Sequence, residues 1–278
     1  MHILSFDIED WFHTFNRKYY NNPGLWKSLP STVEKNTGII LDFLKKHNIK
    51  ATFFCLGWIT ETHQSIIKKI SRQGHHIAAH SYLHNKREDL SKKSFYSDTE
   101  RNIKTLEDIT GEKVNTFRAP GFSLNHNAKN TIETLYKLGI RYDSSLKSGF
   151  YLNDKKIPDN PFLIKTNNIS IKEFPIHTFS FLNKKIIYSG SGYFRVLPYN
   201  FIKNKIMAKE YEMLYFHPRD FDNSVHKYIN NPLLKLKYRF RTSSTLNKLK
   251  FFSKDFNFLS IEEADKSINW EKAEKIVL

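Results

Sequence analysis

The sequence predicts an α/β protein built on a parallel sheet, either doubly wound or closed as a barrel. Two observations carry this. Short apolar runs of strand length alternate with longer amphipathic runs along the 278 residues. The polar residues that end the apolar runs are ionisable each time: Asp7, Glu9 and Asp10, then His80, Arg118, Asp143 and His217. In α/β folds the C-terminal ends of the strands form the face that carries the site. Core packing gives no reason for five strands to deliver ionisable groups to one rim.

The elements follow in order. HILSFDI opens the chain as a buried strand ending in acids. VEKNTGIILDFLKKHN has apolar residues at helical spacing and a basic end that suits a helix C-terminus. ATFFCLG is a strand, and HQSIIKKISRQG a helix closed by Gly74. HIAAH is a short strand, and SKKSFYSDTERNIKTLEDITG a long helix that Gly111 ends. VNTFRAP is a strand, and NAKNTIETLYKLG a helix with Gly139 past its end. IRYDSS, SIKEFPI, EMLYFHP and FNFLSI read as strands with fewer clear helices between them. No linker or repeat divides the chain, so one domain is expected over 1–278. Its core runs to about residue 220, and a basic extension with a last strand occupies 221–278.

Hydrophobic residues make up 40% of the chain and aromatic ones 15%, enough for a large core, which excludes disorder. Cys55 is the single cysteine, which excludes an intramolecular disulfide and a thiolate metal cluster and fits a reducing compartment. The net charge of +16 has three readings. Nucleic acid is set aside, because the charge is spread along the chain and no binding motif is present. An anionic membrane surface or an acidic or lipid-linked substrate is the second. Compositional bias toward Lys, Asn and Ile is the third. The start, MHILSFDIEDWF, has acids where a signal peptide needs a basic, then apolar, segment. No apolar run reaches the roughly 18 residues of a spanning helix. The expected location is the cytoplasm, with peripheral membrane contact open.

Several groups can carry chemistry. Carboxylates crowded at Asp7, Glu9 and Asp10 repel one another unless a cation or an arginine compensates. A solvated acidic turn is the alternative, weakened by Trp11 and Phe12 directly after. In HSYLH, His80 and His84 stand four apart, and zinc accepts two histidines plus a carboxylate. Among 12 histidines such a pair also arises by chance. His80 is the better candidate because it closes an apolar strand, whereas His75 and His76 read as surface residues. Arg118, in FRAPGFS, precedes a stiff turn and is placed to grip a carboxylate or to form a surface ion pair. Asp143, in YDSS, has the alternative of a turn or cap. His217, in LYFHPRDFD, has a purely structural alternative.

Taken together and in this order, the motifs resemble those of the polysaccharide deacetylases of carbohydrate esterase family 4, the NodB-homology fold. SFDIEDW stands where that family has its aspartate motif. HSYLH matches H-[ST]-x-x-H, FRAP the arginine–proline motif, YDSS the aspartate–serine motif and YFHP the histidine motif. ATFFCLG resembles the family's second strand. The likeness covers roughly residues 1 to 220. EFPIHTF, SGSGYFRVLPY and the stretch after His217 resemble the subgroup associated with bacterial exopolysaccharide, including its C-terminal extension.

The resemblance implies a distorted parallel (β/α) barrel of about seven strands. It implies metal-dependent removal of N-acetyl groups from amino sugars of a poly- or oligosaccharide, or a lipid-linked precursor, in bacterial surface glycan biosynthesis. The divalent metal it implies is zinc foremost, with cobalt, manganese or nickel as alternatives. By the same likeness Asp7 is the general base, His80 and His84 are metal ligands, and Arg118 orients Asp7. Asp143 tunes the late histidine, and His217 is the general acid. The first motif departs from the family, because Ile8 follows Asp7 and no glycine closes it. The third ligand is then Asp10 if the chain turns after Ile8, or Glu9 if it stays extended; the reading leans to Asp10. Gly121 also stands one position earlier than the family's usual glycine.

Pro120, Gly121, Phe122, Tyr193, Phe194 and Trp11 are candidate substrate contacts, with core packing the alternative for each aromatic. The basic stretch from Lys227 to Lys250, including YRFR and KLK, is a solvated helix face or a contact for an anionic membrane or pyrophosphate. The implied partner is an N-acetylated glycan, and the oligomeric state stays open. Two rivals stand beside this reading. A hydrolase of a non-sugar amide on the same scaffold is one; intact His80 and His84 oppose its metal-free form. A glycan-binding protein without catalysis is the other, and the complete set of candidate groups opposes it.

Overall fold

The computed structural model describes residues 1–14, 22–125, 127–182, 184–229, 231–239 and 244–278. Its first strand, β1 (His2–Ile8), shows how one sequence pattern builds two cores. Leu4, Phe6 and Ile8 pack outward beneath the helices, while Ile3 joins an inner cluster with Phe54, Ala78, Phe174, Tyr211 and Met213. The two-residue period of a strand separates these faces and puts Ser5 and Asp7 on the inner side with Ile3.

β2 (Thr52–Cys55), β3 (His76–Ala79), β4 (Thr116–Phe117) and β5 (Tyr142–Asp143) follow in spatial order. Strand Glu212–Phe216 flanks β1, and strand Ile169–Glu173 flanks β5. Every pairing from Glu212–Phe216 through β1–β5 to Ile169–Glu173 is parallel. That run of seven is the parallel arrangement expected. Among the described residues no ladder joins its two ends. Side chains span the gap instead: Tyr211 Oη donates to Pro175 O at 2.9 Å, and Phe174 and Met213 meet in the inner cluster. The result is a distorted barrel.

The helices sit where their apolar spacing predicts. Val33–His47, Gln64–Arg72, Lys92–Thr110 and Ala128–Lys137 each bury one face. Ser91 Oγ caps the third by accepting from Ser94 N–H, and Gly111, at φ +74°, ends it. Strands Phe162–Thr166 and Lys275–Val277 widen the sheet beyond Ile169–Glu173 and were not legible in the sequence. His75 is buried against Phe53 rather than lying at the surface.

The C-terminal segment returns to the N-terminal end of the barrel. Phe258–Leu259 pairs with His2 and Ile3 of β1, and Ile261 and Ala264 close the inner cluster from below. Lys248 Nζ donates to the carbonyls of Phe194, Arg195 and Leu197, so part of the basic stretch serves packing. Residues 240–243, within YRFR and just after it, lie outside the described residues. Among the described residues no helix is long and apolar enough to cross a membrane.

One glycine positions the histidine segment. Gly57 N–H donates to Ser81 O and Trp58 N–H to Tyr82 O, both at 3.0 Å. A Cβ on Gly57 would stand 2.4 Å from Tyr82 Cδ2 and 2.9 Å from Tyr82 Cα, and backbone yields little. Gly57→Ala is expected to destabilise the protein by about 1–3 kcal/mol, the usual cost of overpacking. Urea unfolding measures it, and an unchanged midpoint would contradict this placement.

Candidate active site

The strand ends converge on a pocket of about 410 Å³ whose lining includes Asp7, Glu9, His80, His84, His217 and Arg219. Asp7 comes from the end of β1, His80 follows β3 and His217 follows Glu212–Phe216. Each lies where a strand releases the chain, so the backbone is held on one side and the side chain is open to the rim.

Beneath the pocket lies Arg118, fully buried. Its Nη1 donates to Asp7 Oδ1 at 2.6 Å and to Ser5 Oγ at 3.1 Å. Its Nε and Nη2 donate to Ser144 O at 3.1 Å and Ser144 Oγ at 2.9 Å, and its guanidinium lies 3.8 Å from the centre of the Phe54 ring. Burial alone would raise the Asp7 carboxyl; the Arg118 guanidinium, helped by His80 and His217, holds it below the usual carboxylate range. Asp7 is therefore a carboxylate at neutral pH.

Glu9, His80 and His84 bring two imidazole nitrogens and one carboxylate oxygen within 4.8 Å of one another. His80 Nδ1 donates to Arg118 O at 2.8 Å, which leaves Nε2 with its lone pair. Burial lowers the His80 pKa to about 4, so the ring is neutral, the form that binds metals. Glu9 Oε2 stands 2.5 Å from His84 Nε2, yet it makes no hydrogen bond of acceptable geometry. Burial would raise Glu9, but His84 and Arg219 hold it well below its ordinary value. Two imidazoles and an ionised carboxylate fit a divalent ion that accepts nitrogen and oxygen ligands.

The expectation for Asp10 is corrected. The chain does turn after Ile8, with Glu9 N–H donating to Asp7 O at 3.1 Å, but the turn delivers Glu9 to the histidines. Asp10 Oδ1 accepts from Trp11 N–H at 2.8 Å. Asp10 Oδ2 accepts from Ser31 Oγ at 2.6 Å, Thr32 N–H at 3.0 Å and Val33 N–H at 3.3 Å. Its oxygens satisfy the start of the Val33–His47 helix, where orphan N–H groups need an acceptor.

Asp143 is corrected too. Tyr142 shares the inner cluster and Ser144 holds Arg118, so period two turns the Asp143 side chain to the other face. There it accepts from Ser145 Oγ at 2.7 Å and meets Glu173. The acid that engages His217 is Asp220, whose Oδ2 accepts from His217 N–H at 2.9 Å and lies 3.1 Å from His217 Nδ1. This His-Pro-Arg-Asp turn is a capping box, and its i, i+3 spacing was visible in HPRD. His217 Nε2 consequently points back to Glu9 Oε1 at 3.3 Å and Asp7 Oδ2 at 3.9 Å. Arg219, which sequence reasoning missed, donates to Glu9.

Gly121 and Phe122 line the pocket; Pro120 is buried as the first residue of their short turn. Tyr193 lies instead in an adjoining groove of about 290 Å³ that shares Ser191 and Tyr215 with the pocket. Trp11 is not a substrate platform: its indole is buried, donates to Pro30 O and stacks on Tyr228. Phe194 belongs to the core between Phe216 and Phe252.

A carboxylate locked to a buried arginine, a His–His–Glu cluster and an oriented histidine thus meet at the mouth of a parallel barrel. Residues 9–142 match the family model described as Polysaccharide deacetylase, so this part of the chain carries a polysaccharide deacetylase domain. Residues 145–266 match a domain of unknown function, DUF3473. A peptidoglycan-N-acetylglucosamine deacetylase of Listeria monocytogenes is 34% identical over 86 residues, 31% of this chain and 18% of that protein. A peptidoglycan deacetylase of Helicobacter pylori is 30% identical over 107 residues, 38% of this chain and 36% of that protein. The matches thus span less than half of either relative. The crystal structure of a putative polysaccharide deacetylase from Mycobacterium smegmatis superposes with a TM-score of 0.71 at 18% identity. The superposition covers 100% of this chain and 92% of that one, and it shows a shared fold.

The Asp143–Glu173 pair makes a pH prediction. Both are buried; burial first, then the facing Asp143 carboxylate, raises Glu173 well above its ordinary 4.5, and burial raises Asp143. The folded protein therefore holds a proton that the unfolded chain releases. The stability is present in full below the ordinary glutamate value and is lost as pH rises through the raised one. Glu173→Gln keeps an acceptor for Leu146 N–H and removes the titrating proton. The difference in Tm between variant and wild type is expected to move in the variant's favour as pH rises from 4.5 to 8. A pH-independent difference would refute the shared proton.

Proposed function

We propose that this protein is a metal-dependent N-deacetylase acting on amino sugars of a poly- or oligosaccharide, or of a lipid-linked precursor, in bacterial surface glycan assembly. The observation that carries the reading is the convergence of the Asp7–Arg118 pair, the Glu9–His80–His84 cluster and the His217–Asp220 pair on one pocket. The names of the curated relatives support an N-acetylated amino sugar as the target.

Glu9, His80 and His84 hold the divalent ion, with zinc the best fit to a His–His–carboxylate set. Such an ion polarises the acetyl oxygen and lowers the pKa of water. Asp7, kept ionised by Arg118, accepts the proton of the attacking water as its oxygen bonds to the acetyl carbon. Phe122 N–H is committed to Ala119 O, so the donor for the developing oxyanion is Gly121 N–H, from the turn that lines the pocket. His217, its Nδ1 side held by Asp220, gives a proton from Nε2 to the leaving nitrogen as the C–N bond breaks. Acetate and a free amine result.

Mass spectrometry of acetylated chitin oligomers, peptidoglycan fragments and lipid-linked sugars after incubation tests the reading. Loss of one acetyl mass from at least one class is expected, and no loss from any class would refute it. Asp7→Asn should retain zinc by calorimetry and lose about 10²–10⁴-fold in rate. Glu9→Gln should lose tight zinc binding, whereas Asp10→Asn should keep it. Tight binding by Glu9→Gln would return the third ligand to Asp10.

A further inference from the structure

Two lysines line the reaction pocket beside the Gly121 turn, and the proposed chemistry uses neither. Lys86 lies across that turn, its Cε 3.8 Å from where a Gly121 Cβ would stand. Lys147 comes from the segment after β5. A bridge to Ile176, and the bond from Ser148 N–H to Ile176 O at 2.9 Å, fix its backbone. Its ammonium rests 5.4 Å from the centre of the Phe150 ring, and Lys185 Nζ approaches the same ring at 4.9 Å.

Lys147 is the lysine whose charge no ion pair balances among the described residues. The pocket's own carboxylates are committed, Asp7 to Arg118 and Glu9 to Arg219. Glu88 meets Lys86 at 3.6 Å, with both side chains about half exposed. Lys147 has no carboxylate within ion-pair distance among the described residues. Burial lowers its pKa and Lys86 adds to this, and Glu88, which is beyond ion-pair distance, opposes them without cancelling the shift. A half-desolvated cation fixed at the edge of a site is complementary to an anion that arrives with the ligand.

We propose that the pocket takes an anionic glycan, with a carboxylate or phosphate close to the N-acetylated sugar, and that Lys147 and Lys86 receive that group. This rests on the deacetylase reading and narrows its substrate class. A neutral glycan would leave Lys147 further desolvated and still unpaired.

The test compares acetate release from three probes at low and high KCl: a neutral acetylated chitin tetramer, an acetylated glucuronate-containing tetrasaccharide, and UDP-N-acetylglucosamine. At low salt kcat/KM is expected to favour one anionic probe by about tenfold or more, a preference of about 1.4 kcal/mol. KCl should weaken the preference by screening. The identity of the favoured probe separates carboxylate from phosphate. Lys147→Gln and Lys86→Gln should each reduce the preference while leaving turnover of the neutral probe in place. If Lys147→Gln fails to fold, the exposed Lys86→Gln and the salt series carry the test. Equal kcat/KM for neutral and anionic probes, or a preference that survives both substitutions, overturns the inference and leaves the deacetylase reading standing. No acetate from any probe overturns both.

Discussion

The buried ion pair between Arg118 and Asp7 is the constraint on which the site depends. Taking both charges out of water costs several kcal/mol each, and the cost is offset only when every remaining donor is satisfied. Here it is: Ser5 and both Ser144 oxygens accept from the guanidinium, and Phe54 faces it. One side chain thereby ties the ends of β1, β4 and β5 together. The barrel lacks a closing ladder among its described residues, so this pair and the Phe174–Tyr211–Met213 packing hold its upper interior in shape. The arrangement also leaves Asp7 ionised and facing the pocket.

Around that pair, carboxylates of the same chemistry are sorted by the donors nearest to them. Glu9 meets His84 and Arg219, and its pKa falls. Asp10, one residue later, is absorbed by the first turn of a helix, and burial raises its pKa despite the bonds from Ser31 and three backbone N–H groups. Asp220 is held by His217 and Arg219, which outweigh its burial and lower it. Asp143 faces Glu173 and is raised by burial. Proximity in sequence does not predict which acid is available; the supply of competing N–H and O–H donors does.

The second half of the chain completes what the first half begins. His217, Arg219 and Asp220 come from one short turn, which engages Glu9 and orients the histidine at once. The strand and helix near the C-terminus plug the opposite end of the barrel. Lys147 stands on the pocket wall because the segment after β5 bridges to Ile176. The walls that meet a ligand are therefore drawn from residues distant in sequence from the Asp7 motif.

What the sequence determined by itself was the order of elements and most of the groups at the rim. Strand and helix periods are local properties, and motifs such as HSYLH and FRAP place their side chains at strand ends whatever the register. Asp7, His80, His84, Arg118 and His217 were legible for that reason. The choice of Glu9 over Asp10, the replacement of Asp143 by Asp220 and the burial of Trp11 were decided only by the tertiary structure. Each depends on a partner that the local sequence does not contain: the Ser31–Val33 segment for Asp10, the alternation that turns Asp143 toward Glu173, and Tyr228 against Trp11. Hydrogen-bond acceptors go to the donors that folding brings closest, and that distance is set by packing.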